Sequence, residues 1–200
     1  MLMKFGVKLF TYDVRSVPLL SKKVQSNTNR LVLGALLTSI AVIFQSLGAL
    51  GGIGYAFSML STMPIFLAAM VSARIGMLSY LVSILLLLLL QPSELFVFPF
   101  TTGILGLSMG LSLRICKKTF LVPIISALSL GLGIFILIEL LHFPILGPEV
   151  ASVFKFPTLA LLVAGSLLYS WMWTKLSLRI LKHVVHAVVT EKVTETDSSR

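Results

Sequence analysis

Two apolar runs, residues 77–90 and 95–113, stand back to back around the break Gln91-Pro92-Ser93-Glu94. Arg74 precedes the first run, and Arg114, Lys117 and Lys118 follow the second. Each run has the length and apolarity of a helix that crosses a bilayer. Two crossings return a chain to the side it left, so both basic ends lie on one side of a membrane and Glu94 lies on the other. The second run carries Gly103, Gly106, Ser108, Gly110 and Ser112. Residues this small let helices approach closely in lipid, where packing rather than hydrophobicity drives association.

Composition extends the reading to the whole chain. Of 200 residues, 57% are hydrophobic and 12% charged, against about 25% charged in soluble domains. The class is therefore an all-α integral membrane protein. The net charge of +9 would suggest nucleic acid in a soluble protein. Here its distribution points to membrane orientation, and no nucleic-acid partner is expected. The single cysteine, Cys116, permits no internal disulfide and no cysteine-based metal cluster.

Taken in order, residues 1–30 form a basic segment, either a cytoplasmic arm or an interfacial stretch that lays Phe5, Val7, Leu9, Phe10 and Val14 on the membrane. They hold no signal-type apolar run before a cleavage site, so nothing is expected to be removed. Six spans follow within residues 31–174, at 31–50, 56–73, 75–90, 95–113, 119–141 and 156–173. Span one carries two small pairs four residues apart, Gly34/Thr38 and Ala35/Ser39, each sharing a helix face. Span two contains Pro64, which predicts a kink. Gly106 and Gly110 form a GxxxG pair, with Gly103 one turn earlier, and predict close helix packing. Trp171 and Trp173 close span six in the manner of an interfacial aromatic belt. Residues 175–189 read as a basic amphipathic helix, either continuing span six or lying on the anionic leaflet. Residues 190–200 read as a polar tail without fixed structure.

With six spans, 15 of the 16 Lys and Arg fall on one side and only Lys155 on the other. The positive-inside rule makes both termini cytoplasmic. There is no HExxH, no GxSxG, no paired-acid motif and no Gly-rich phosphate loop. The chain therefore reads as a non-enzyme without cofactor or metal. The three opposite connections, residues 48–55, 91–100 and 142–156, hold aromatic, polar and turn-forming residues. They could line a cavity for a small solute. Glu139, one turn inside the membrane boundary, shares a helix face with His142. It reads either as a polar group at a cavity mouth or as a carboxylate reaching interfacial water. Glu94 and Glu149 read as solvated loop acids.

Six spans in 200 residues, both termini inside, small residues in span one and the Gly-rich run Thr102-Gly103-Ile104-Leu105-Gly106-Leu107-Ser108-Met109-Gly110 together resemble a known group. They are similar to the substrate-binding S components of energy-coupling factor (ECF) transporters, which capture vitamins and metal ions. The resemblance implies a six-helix bundle in the bacterial cell membrane, powered by a separate coupling subunit and two ATPases. It implies docking of the coupling subunit on an Ala-xxx-Ala pair in the first helix, matched here by Ala35 and, with a departure, Ser39. It also places substrate near Tyr55, Glu94, Phe98, Glu139, His142 and Glu149, by region. The rival reading is a non-transporting scaffold of cell-envelope, cell-shape or sporulation machinery.

Overall fold

The computed structural model describes residues 26–116, 118–141 and 156–197, without the side chains of 156–159 and 181–197. These residues are all-helical. Five segments are long and apolar enough to cross a membrane: Asn27–Leu50, Ile53–Val71, Ala73–Leu90, Glu94–Ile115 and Leu121–Leu140. Helices satisfy their own backbone groups, as hydrocarbon requires.

Helix α1 (Asn27–Ser46) ends in a tight turn of 3-10 type, Leu47–Leu50. The second segment is not one kinked helix but two, α2 (Ile53–Leu60) and α3 (Thr62–Val71), parted at Ser61. The kink expected at Pro64 thus lies three residues earlier. A proline ring clashes with the carbonyl four residues back, here that of Leu60, so the helix restarts with Pro64 in its first turn, where no amide proton is needed. Helix α4 is Ala73–Leu90. The fourth segment is also divided, into α5 (Glu94–Phe100) and α6 (Thr102–Ile115). Thr101 between them has φ −124° and ψ −94°. Pro99 removes the N–H that the Leu95 carbonyl would accept from, and the Pro99 carbonyl, at the break, accepts from the Tyr80 hydroxyl at 3.0 Å. Helix α7 (Leu121–Phe135) widens into a π-helical turn, Ile136–Leu140.

Helix α8 is a single helix, Phe156–Asp197. At 1.5 Å per residue it spans ~63 Å, about twice a ~30 Å hydrocarbon core. The basic stretch 175–189 continues this helix. Residues 190–197, expected without structure, are helical too. Once a helix is nucleated, each further residue adds one bond for one residue fixed, and Glu191 and Lys192 are good helix formers.

The core centres on α3. It buries nine of its ten residues, whereas the longer α4 buries five of eighteen, so α3 is the axis and α4 is peripheral. Helices α1, α4 and α6 all pack on α3; α7 packs on α6 and α8 on α7. Phe66 and Met70 of α3 meet Leu105 and Met109 of α6 and Trp173 of α8. Ile65 and Ala69 meet Ala41, Val42, Leu87 and Phe98. Trp173 is thus a core residue and not half of an aromatic belt. Trp171 is partly exposed, with the Lys175 ammonium 3.5 Å from its ring centre.

Three glycines set the spacing around α3. A Cβ on Gly106 would lie 2.5 Å from the Thr62 carbonyl oxygen. One on Gly110 would lie 2.5 Å from the Ala69 Cβ, and one on Gly76 2.5 Å from the Ala69 Cα. At the far end of the same pair of helices, Arg114 Nη1 donates to the Met70 carbonyl at 3.0 Å. That bond places a positive charge at the C-terminal, negative pole of α3.

Candidate functional site

Three interruptions of the helices meet at one place. They are the end of α1, the α2–α3 junction and the α5–α6 junction, and the start of α5 joins them. Each contributes a polar side chain that an unbroken apolar helix would not supply. Gln45 comes from the last turn of α1, Ser61 from the α2–α3 junction, Glu94 from the start of α5 and Thr102 from the start of α6. Gln45 and Ser61 are fully buried, and Thr102 and Glu94 are 7% and 8% exposed.

The hydrogen bonds run in one direction. Ser61 Oγ donates to Gln45 Oε1 at 2.7 Å, and Thr102 Oγ1 donates to the same oxygen at 2.8 Å. Gln45 Nε2 then donates to Glu94 Oε2 at 2.7 Å. A carboxylate only accepts, so the amide must turn its NH2 towards Glu94 and its oxygen towards the two hydroxyls. One side chain, Gln45, therefore ties four separate segments together. Gly48 makes room for the acid: a Cβ there would lie 2.9 Å from Glu94 Oε1 and 3.0 Å from the Ser58 Cβ. The neighbouring Thr62 hydroxyl is buried without a partner.

Glu94 is thus not the solvated loop acid that its Gln-Pro-Ser context suggested. Gln45 lies 49 residues away, and packing against the end of α1 leaves Glu94 only 8% exposed. The other residues assigned by region do not join it. Tyr55 is 60% exposed on α2. Phe98 is fully buried and stacks on Tyr80, with ring centres 6.0 Å apart. It is a core residue, held against Gly103, whose added Cβ would lie 2.8 Å from the Phe98 ring. Glu139 is exposed on the π-helical turn, a turn that packs against α5. His142 and Glu149 lie outside the described residues.

The two small pairs of α1 separate cleanly. Gly34 and Thr38 face α4, where a Cβ on Gly34 would meet Ile75 Cγ2 at 2.6 Å and Ser79 Oγ donates to the Gly34 carbonyl at 3.3 Å. Ala35 and Ser39 are exposed, on a face they share with Leu31, Val32, Leu36 and Ile43. Gly103, Gly106 and Gly110 all sit at close approaches, against Phe98, α3 and α3 respectively.

Sequence reasoning passed over Gln45, Ser61 and Thr102. The available signal was Gln45 itself, a primary amide in an otherwise apolar span, since a buried polar group needs partners. Among the described residues, no group of three or more His, Cys, Asp or Glu is placed to hold a metal ion. Comparison with protein-family models, with curated proteins and with solved structures finds no match.

Proposed function

We propose that this chain is the solute-binding membrane subunit of a bacterial uptake transporter of the S-component type. In this reading it has six spans, the sixth being the first half of α8, and both termini are cytoplasmic. A small solute, vitamin-like or cationic, is met near Glu94, on the outward side. Separate ATPases and a membrane coupling subunit supply the energy. The coupling subunit docks on the exposed Ala35/Ser39 face of α1, and rocking of the bundle delivers the solute inward.

The observation that carries this reading is the buried Glu94–Gln45–Ser61–Thr102 network where the helices are interrupted. An ionisable residue inside a membrane domain marks a functional site by default. Transporter sites are commonly built from discontinuous helices. A scaffold for cell-envelope, cell-shape or sporulation machinery needs neither.

The test is gentle extraction from the native membrane, with mass spectrometry of the proteins and small molecules that copurify. ATPases with a coupling subunit, or a stoichiometric small molecule, are expected. Cell-envelope proteins with no bound small molecule would replace the transport reading with the scaffold. Ala35→Leu with Ser39→Leu is expected to abolish capture of the coupling subunit, and retention would refute the docking face.

A further inference from the structure

Among the described residues, Glu94 has few partners. Its Oε2 accepts one hydrogen bond, from a neutral amide, and no donor among the described residues meets Oε1. No described Lys, Arg or His pairs with it. The amides that open α5 do not help, because the Glu94 N–H is engaged by the Gln91 carbonyl and the Leu95 N–H by that of Pro92. The last turn of α1, which brings Gln45, is a negative pole with no basic residue. Ser61 and Thr102 spend their protons on Gln45, not on the carboxylate. Thr62, at the same junction, holds a buried hydroxyl oxygen with no partner.

Glu94 is 8% exposed, yet its Oε1 is not among the sealed atoms without a partner, so that oxygen faces space an ion can enter. The start of α5 brings it a partial positive charge, and no described side chain brings it a full one. We propose that Glu94 holds a small, singly charged cation, either a free alkali ion or the ammonium group of a solute. One carboxylate balances one charge, so a divalent ion would leave an excess. Oxygen ligands suit a hard cation. The inference rests on reading this centre as a binding site. It does not need the coupling subunit, and its failure would leave the copurification result unchanged.

The experiment is thermal unfolding of the purified full chain in detergent. Sodium, potassium and methylammonium chloride are compared with the chloride of a bulky cation, N-methylglucamine, at equal ionic strength. At about ten times its Kd, the bound cation is expected to raise the midpoint by about 3–6 °C. An alkali-ion shift identifies a free ion; a shift with methylammonium alone identifies a solute headgroup. Glu94→Gln keeps the shape, and it should lose the shift while melting no lower than the native chain in N-methylglucamine. Saturable binding of radiolabelled sodium or methylammonium to the native chain is the second readout. The proposal fails if no cation shifts the midpoint and none binds. It fails equally if Glu94→Gln retains the shift, or if it melts below the native chain without small cations.

Discussion

Replacing Gln45 with leucine tests the whole polar centre through one residue. Leucine fills a similar volume but offers no hydrogen bond, so Ser61, Thr102 and Glu94 each lose a partner. Two neutral bonds at about 0.5–1.5 kcal/mol and one to a charged group at about 1.5–3 kcal/mol sum to about 2.5–6 kcal/mol. Side-chain hydrogen bonds in membrane proteins average about 0.6 kcal/mol, which lowers the floor to about 2 kcal/mol. Gln45→Leu is therefore expected to cost about 2–6 kcal/mol, read from reversible unfolding in mixed micelles by circular dichroism. The double substitution Gln45→Leu with Glu94→Leu removes the stranded carboxylate as well, and replacing both members of a buried polar pair is often close to neutral. It should recover about 1–3 kcal/mol relative to the sum of the single variants. A Gln45→Leu cost under about 0.5 kcal/mol, or strict additivity in the cycle, would show that the four segments are not joined through this side chain.

Gly106→Ala drives a Cβ to 2.5 Å from the Thr62 carbonyl and 3.2 Å from the Ile65 Cβ, and should cost about 1–3 kcal/mol by overpacking. Gly165→Ala is the matched control in the same unfolding assay: nothing lies within 4 Å of its added Cβ, so better helix propensity should stabilise by up to about 1 kcal/mol. Arg114→Met removes the bond to the Met70 carbonyl and is expected to lower stability by about 0.5–1.5 kcal/mol, the charge being partly exposed. Cys116 is the one thiol in the chain and follows α6 at the basic end. A membrane-impermeant maleimide should label it in inside-out vesicles and not in intact cells; the reverse pattern would invert the proposed topology.

The sequence marks the spans well because hydropathy depends on each segment alone, and five of the expected six recur as long apolar helical segments, two of them divided. Gly106 and Gly110 were legible as a packing pair because spacing puts them on one face. The partner helix was not legible, since it depends on how the segments assemble. Pro64 signalled a disturbance but not its position, because a proline acts on the carbonyl a turn before it. Glu94 was misread for a related reason. Its neighbours Gln91, Pro92 and Ser93 describe a turn, whereas its burial comes from Gln45 and Gly48 at the end of α1. A polar centre built from four segments leaves only isolated polar residues in the linear chain, each unremarkable beside its apolar neighbours.

The clasp of Ala69 between Gly76 and Gly110 has a genetic consequence. The space Gly110 would need is blocked chiefly by the Ala69 methyl, with the Phe66 carbonyl next at 3.1 Å. A defective Gly110→Ala allele should therefore be suppressible in a selection by Ala69→Gly, which gives the methyl's volume back. The space beside Gly76 is blocked by the Ala69 backbone, Cα at 2.5 Å and N at 2.9 Å. No substitution at residue 69 moves those atoms aside, so suppressors of Gly76→Ala should arise elsewhere in the bundle or not at all. Two glycines touching one alanine thus differ in how freely they can drift: one can change in step with its partner, the other is fixed by the main chain.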